Sequence, residues 1–261
     1  MINFLALIFS VVIICWLSFF FYISDFSVKF ANVKKFKKLL VIFPHPDDEV
    51  LSAGGLLKLL AQNGTKTTLL TLTKGEKGNP SGVFDLKLKK IRTKETGEAS
   101  KILEIDRLIL QDLGDGEIVN KQVKVKKIIS KTIEEEKPDL VITYDRSGLY
   151  GHEDHMVVSE IVTSLIKNKY KNISLWYTTY PKRDLDMAKL PEHMAKDLNF
   201  KNKRTLPTNK VFIGLNIFNK LRALYAYKSQ YSSYRNGLPI KFIPLWFVYS
   251  ITLFEYFHEV N

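Results

Sequence analysis

The sequence predicts an α/β fold: a Rossmann-like, mostly parallel sheet with helices on both faces, preceded by one N-terminal transmembrane helix. Three observations carry this expectation. Short apolar runs without polar alternation, such as KLLVIF (38–43) and DLVIT (139–143), read as strands buried on both faces. Stretches with helical spacing separate them, which is the pattern of a parallel sheet. Residues 4–23 carry no charge, and about 20 apolar residues span a hydrocarbon core of ~30 Å.

In the stretch 4–23 (FLALIFSVVIICWLSFFFYI), Ser10 and Ser18 are the small polar interruptions, and Trp16, Phe19, Phe20, Phe21 and Tyr22 crowd the far half as an interfacial belt would. No Lys or Arg precedes it, and Ile23-Ser24-Asp25-Phe26 is a poor cleavage site, so a retained anchor is expected rather than a cleaved signal. Lys29, Lys34, Lys35, Lys37 and Lys38 follow. The positive-inside rule then keeps the body cytoplasmic, at a bacterial inner membrane or the endoplasmic reticulum. The expected organisation is an anchor over 1–26, a basic juxtamembrane linker over 27–38 and a single catalytic domain over 39–261.

The remaining elements follow in order. A strand over 38–43 ends at Pro44. A helix over 51–63 stops at Gly64, and a strand covers 67–73. Residues 74–84 (KGEKGNPSGVF) form a loop. A charged amphipathic helix covers 85–103, a brief strand 107–110, a helix 122–137, a strand 139–143, a helix 154–167 and a strand 173–178. Beyond Pro181 the pattern predicts loop and a short helix to 210, an edge strand at 211–214 and a helix over 216–230. The aromatic stretch 240–257 is expected to be a helix on the body or on the bilayer surface.

Composition narrows the function. Cys15 is the only cysteine, which excludes an intrachain disulfide and a cysteine zinc cluster. The net charge of +12 comes from 39 Lys+Arg against 27 Asp+Glu, yet only seven of the 39 are Arg. Base and phosphate readout leans on Arg forks, so a solvated surface or an anionic membrane is expected and nucleic acid is not.

Three of the five histidines fall in two loops at predicted strand ends: Pro44-His45-Pro46-Asp47-Asp48-Glu49 and Gly148-Leu149-Tyr150-Gly151-His152-Glu153-Asp154-His155. Ligands of open parallel sheets bind at such ends. Imidazole and carboxylate suit zinc or a similar divalent ion. His45 and Asp48, three apart at a helix start, can share a metal, and His155 could complete two nitrogens and one oxygen. Asp47, diverging by about 100° from Asp48 on a helical first turn, is left to take a proton. His152 faces the same mouth, with Asp154 near enough to fix its tautomer. Read singly, the first string also fits a turn with a capping Asp, and the second a solvated helix start. His193 and His258 belong to no such cluster and read as structural or surface residues.

The first string resembles the PHPDDE signature of the PIG-L/LmbE-like zinc-dependent de-N-acetylases, and Tyr150–His155 that family's YGHPDH segment, with Glu153 in place of Pro. Thr73-Lys74-Gly75-Glu76-Lys77-Gly78, Arg92-Thr93-Lys94-Glu95 and Ala226-Tyr227-Lys228-Ser229-Gln230 are also similar, so the resemblance runs from about 39 to 232. It implies zinc (Fe2+ being an alternative) on His45, Asp48 and His155. It further implies Asp47 as base, His152 stabilising or protonating the intermediate, Tyr150 adding a hydrogen bond, and Arg92 with Glu95 buttressing the loops. The implied reaction is hydrolysis of an N-acetyl amide on an N-acetylglucosamine-type sugar, expected to be a glycolipid beside the anchor. Two other readings are a metal-dependent phosphoesterase, for which only one three-ligand set is visible, and a silent membrane-bound sugar-lipid binder, which the intact residues disfavour.

Overall fold

The computed structural model describes residues 2–191, 195–196, 198–238 and 243–260. His193 and positions 240–242 of the aromatic stretch lie outside them. Among the described residues one sheet has eight strands: β1 Lys29–Phe30, β2 Lys38–Phe43, β3 Lys66–Thr71, β4 Arg107–Leu110, β5 Leu140–Tyr144, β6 Ser174–Thr179, β7 Asn209–Phe212 and β8 Phe254–Val260. Their order is β1-β7-β8-β6-β5-β2-β3-β4, and β4, β3, β2, β5 and β6 pair in parallel. β8 runs antiparallel to both β6 and β7. The chain steps outward from β2 to β4, then returns to the other side of β2 with β5. The reversal between β2 and β5 is where open α/β sheets bind ligands.

The helices are α1 Ile2–Ile23, α2 Asp48–Gln62, α3 Leu86–Leu103, α4 Gln122–Glu136, the single turn α5 Gly148–Gly151, α6 Glu153–Asn168, α7 Lys182–Met187, α8 Asn216–Ala226, α9 Tyr231–Gly237 and α10 Leu245–Ile251. Side chains alternate across a strand, so apolar residues at every position feed two cores. Leu39, Val41 and Phe43 of β2 meet Leu56 and Leu60 of α2, Leu103 of α3 and Leu224 of α8. Leu40 and Ile42 meet Val125 and Ile129 of α4 and Val158 and Val162 of α6. α3 starts where it does because the Asp85 carboxylate accepts from the amides of Lys87 and Leu88.

Three expectations change. The 27–38 stretch is woven into the sheet: β1 pairs with β7, and Phe36 is buried against Trp176. β7 is therefore interior, and β1 takes the edge. The aromatic stretch 240–257 is not one helix. It divides into α10 and the interior strand β8, because Thr252 and Leu253 end the helix and the alternation from Phe254 to Phe257 suits a pleated surface between two partners.

α1 includes Phe4–Ile23, which is long and apolar enough to cross a membrane by length and composition. None of its described residues is buried by the body. Its last turns are rooted on the body: Trp16 Nε1 donates to Ser250 Oγ at 3.1 Å, and the rings of Phe19 and Phe247 meet at 6.3 Å.

One buried ion pair ties the late strand to the first helix of the body. Glu255 of β8 accepts from Gly55 N at 2.8 Å and Leu56 N at 2.7 Å within α2, and pairs with Lys220 Nζ of α8 at 2.7 Å. Both side chains are nearly inaccessible. Breaking a buried pair leaves the partner uncompensated. Glu255→Ala should therefore lower the unfolding free energy by roughly 3–5 kcal/mol. Lys220→Met should cost less, because Glu255 keeps its two amide donors. Urea denaturation in detergent measures both.

Candidate active site

The two sequence loops meet at the C-terminal ends of β2 and β5. β2 delivers His45, and α2 starts at Asp48. Asp47 does not stand on the first helical turn. It occupies the position before the helix with left-handed backbone (φ 84°, ψ −21°) and caps nothing with its side chain. Asp48 Oδ2 instead accepts from the amide of His45 at 2.9 Å, tying the loop closed. Such a conformation costs a non-glycine residue of order 1–3 kcal/mol unless its surroundings hold it. Here Arg92 Nη2 lies 3.1 Å from Asp47 Oδ1, Tyr234 donates to Asp47 Oδ2 at 2.9 Å, and Arg92 also donates to the Pro46 carbonyl. The separation of Asp47 from Asp48 thus comes from the backbone flip rather than from helical twist.

The second loop enters α6. His152 occupies the N-cap, its Nδ1 accepting from Asp154 N at 3.2 Å. Asp154 and His155 are buried, so this is no solvated helix start. His155 Nδ1 lies 3.1 Å from the Gly148 carbonyl and donates to it, which leaves Nε2 bare. Its ring stacks on Tyr144 at 4.4 Å, and Tyr144 in turn donates to Asp48 Oδ1 at 2.8 Å.

His45 stands between two sets of neighbours. Its Nδ1 is 3.1 Å from His155 Nε2 and 3.7 Å from Asp48 Oδ2, while His155 Nε2 is 3.7 Å from Asp48 Oδ1. Its Nε2 is 3.1 Å from both Asp115 Oδ1 and Asp154 Oδ2. With Nε2–H aimed at two carboxylates, Nδ1 presents a lone pair to the lone pair of His155. Two acceptors at that separation repel unless a proton or a cation lies between them. Donors about 2.0–2.2 Å from a tetrahedral ion are themselves roughly 3.4 Å apart. The His45 and His155 nitrogens therefore fit a divalent metal in chemistry and in spacing, with a different oxygen of Asp48 3.7 Å from each.

The surrounding charges follow from burial. Burial alone would push His45 down, but Asp115, Asp154 and Asp48 outweigh it and hold its pKa well above the ordinary range, so that without a cation a proton on Nδ1 fills the place facing His155. Burial lowers His155, with His152 and His45 adding to it. Burial and the charge on His45 bring His152 to about 4, so it is a neutral Nε2–H donor. Burial raises Asp48 to about 7 against the pull of His45. It raises Asp47 as well, although Arg92 and Tyr234 oppose the change. Asp115 resists burial because His45 and Arg92 hold it well below the carboxylate range.

Two sequence expectations need revision here. The Asp154 carboxylate does not orient His152: it accepts from Gly116 N at 2.8 Å and Ile118 N at 3.2 Å and faces His45. The Asp154 amide fixes the His152 tautomer instead. Nor is the expected His45, Asp48 and His155 the one possible set: among the described residues, ligand atoms also gather in His45, His152 and His155 and in His45, Asp115 and Asp154. Because His45 is common to both and turns Nε2 to Asp115 and Asp154, those carboxylates serve as the acceptors that a ligating imidazole uses for its other N–H. Asp115 escaped the sequence reading. Its signal is Gly114-Asp115-Gly116 after β4, with both glycines at positive φ (92° and 74°).

The remaining motifs interlock around these loops. Arg92 is buried and donates to the Gly75 carbonyl at 3.1 Å. A Cβ on Gly75 would come within 2.3 Å of the guanidinium, so glycine is required there. Glu76 Oε1 accepts from Asp115 N, and Lys77 N donates to Asp115 Oδ2. Glu95 accepts from the amide and hydroxyl of Ser229, and Gln230 donates to the Gly78 carbonyl. Arg92 and Glu95 brace the loops separately rather than as a pair. The Tyr150 ring packs edge-on to His155 at 5.1 Å and His152 at 5.9 Å. His258, on β8, stacks on Tyr177, away from these groups.

Residues 40–166 match the family model described as PIG-L, GlcNAc-PI de-N-acetylase. The chain is 28% identical over 176 residues to a diacetylchitobiose deacetylase of Thermococcus kodakarensis, covering 60% of this chain and 66% of that protein, just under two thirds of its length. It is 26% identical over 234 residues to the 1D-myo-inositol 2-acetamido-2-deoxy-α-D-glucopyranoside deacetylase of Actinosynnema mirum, covering 77% and 83%. Among solved structures, the N,N'-diacetylchitobiose deacetylase of Pyrococcus horikoshii shares the fold with a TM-score of 0.60 at 21% identity, over 87% of this chain and 85% of that one. Over residues 40–166 the chain is thus similar to the PIG-L/LmbE-like de-N-acetylases.

Glu49 supplies a test of the buried electrostatics. Tyr227 donates to its Oε1 at 2.7 Å, while Oε2 has no hydrogen-bond partner among the described residues. Burial raises its pKa to about 8 against that hydrogen bond. The folded state then holds a proton that the unfolded chain releases near its ordinary value of 4.5. Stability from this group is complete below that value and is lost as pH rises through about 8. Glu49→Gln should melt like the wild type when both are acidified below that value, and at a higher temperature than the wild type above pH 8, by thermal scans across that range.

Proposed function

We propose that this chain is a membrane-anchored, metal-dependent N-deacetylase that cleaves the N-acetyl amide of an N-acetylglucosamine-type sugar, releasing acetate and free amine. The observation that carries this reading is the pair of facing imidazole nitrogens of His45 and His155, 3.1 Å apart and flanked by the Asp48 carboxylate, a place that a cation or a proton must fill. Similarity to the two deacetylases of acetylated sugars supports the substrate class. A zinc or ferrous ion held by His45, Asp48 and His155 would supply Lewis acidity and a water acidic enough to attack near neutral pH.

The chain's own groups do the rest. Asp47 has a carboxylate made more basic by burial, and it accepts the proton of the attacking water. Arg92 and Tyr234 hold it at the angle its flipped backbone sets. His152, neutral and with its proton on Nε2, donates to the developing oxyanion. The proton that Asp47 took from the water then passes to the departing amine, which restores the carboxylate. Asp115 and Asp154 keep the proton of His45 on Nε2. Tyr150 closes the site against the two imidazoles.

The uncovered helix α1 supports retention at a membrane, and the five lysines that follow it are all exposed, which favours a cytoplasmic body. A substrate tethered in the bilayer, a glycolipid, suits an enzyme rooted beside it.

Acetate release from a panel of N-acetylglucosamine conjugates, with metal analysis of the same detergent-purified chain, tests the reading. Asp47→Asn should keep its metal and lose turnover by about 10²–10⁴-fold, the scale of general acid–base catalysis. Asp48→Asn should lose metal together with activity. Metal loss in the Asp47 variant would refute its role as base. For orientation, protease added to sealed vesicles with the cytoplasmic side inward should leave the body intact.

A further inference from the structure

We infer that the body rests on the lipid surface through an exposed aromatic face at the root of α1, so that the enzyme is seated on the bilayer rather than hung below it. This rests on the reading that α1 is embedded in lipid. The face is built around Phe254 at the start of β8. Its ring lies 5.9 Å from those of Phe20 and Phe26, 6.0 Å from Phe30 and 5.6 Å from Phe212. These contacts join the end of α1 to β1, β7 and β8 in one cluster. Phe30 is 67% exposed and Phe212 is 50% exposed. Phe218 of α8 and Trp246 of α10 are 58% and 55% exposed, on helices that pack together. Trp246 meets Phe247, whose ring meets Phe19 of α1, and soluble surfaces seldom leave such large aromatic residues open without a partner.

Three observations select lipid as that partner. The face is continuous with α1, whose uncharged length is uncovered where it leaves the body. A bilayer that takes up α1 must meet its root. The composition is that of an interfacial belt, with aromatic rings and a cation beneath them. Lys210 Nζ stands 5.0–5.1 Å from the ring centroids of Phe26, Phe30 and Phe254 and donates to the Asp25 carbonyl at 2.9 Å. That cation–π cluster fixes the rings in place. By contrast, α4 on the other layer presents Lys124, Lys126, Lys127 and Lys131 to solvent, as a water-facing helix does.

The placement bears on the site. Arg183, on α7 directly after β6, donates to the Tyr22 carbonyl at the end of α1. α10 directly precedes β8, whose first residues pair with the last of β6 and β7. The root of α1 therefore lies at the C-terminal edge of the sheet, the edge that carries His45 and His155. A seated body brings that edge to the depth of lipid headgroups.

The test uses the full chain in phosphatidylcholine vesicles whose acyl chains carry bromine at shallow or deep positions. Trp16 reports α1, Trp246 reports the face, and Trp176 is buried in the core and serves as background. Shallow bromines should quench both the emission that Trp246→Phe removes and the emission that Trp16→Phe removes, since Trp16 stands in the interfacial belt beside α10. Phe30→Asp with Phe212→Asp should reduce Trp246 quenching about twofold or more, because charge opposes interfacial insertion. Quenched Trp16 with unquenched Trp246 overturns the seating and leaves the anchor standing. Quenching of neither overturns both. Quenched Trp246 with unquenched Trp16 upholds the face as a lipid contact and overturns the anchor.

Discussion

His45 has two ring nitrogens with opposite needs, and much of the local structure answers to them. Nδ1 must be bare to act as a donor to a cation beside His155, so Nε2 must carry the proton and spend it on an acceptor. Asp115 and Asp154 supply that acceptor, one from the loop after β4 and one from the first turn of α6. Neither carboxylate is free to drift, since backbone amides of Lys77, Gly116 and Ile118 hold them. Buried charge is tolerable only when paired and hydrogen-bonded. The loops after β2, β3, β4 and β5 are thus locked to one another through a single imidazole.

Asp47 shows the same logic in the backbone. A left-handed aspartate at a strand-to-helix junction turns two adjacent carboxylates in different directions, one toward the histidines and one toward Arg92 and Tyr234. Arg92 holds the carbonyl of Pro46, the carbonyl of Gly75 and the side chain of Asp47 at once. Its long reach from α3 explains why glycines flank it: the guanidinium occupies the space a Cβ would need.

The doubly covered strands were legible because β2 and β5 are largely apolar at consecutive positions and β3 is threonine- and leucine-rich, and their ends could be placed from Pro44 and from the charged residues that follow. The two histidine loops were legible because proximity in sequence placed ligand types at strand ends. Asp115 was not, because a lone carboxylate between two glycines gains meaning only when β4 lies beside β3 and carries that loop toward His45. The Asp154 carboxylate departs from the sequence expectation for a related reason: sequence neighbours suggest His152, while the direction of α6 turns the side chain to His45. Past Pro181 local pattern lost its hold, since β7 and β8 owe their strand character to each other and to β6. An aromatic run such as FEYF reads equally as helix or strand until its partners are known.

The insertion of β8 between β6 and β7 has a bearing on biogenesis. β1 and β7 join the main sheet only through β8, so the N-terminal strand, paired across 180 residues at Lys29 and Asn209, cannot be secured until the last strand in sequence has been made. Pairings so distant in sequence form slowly. During synthesis α1 is available to a membrane long before the sheet that roots it is complete. Until then, the aromatic rings of its final turns and of β1 lack Phe254 and stay open to association with other nascent chains.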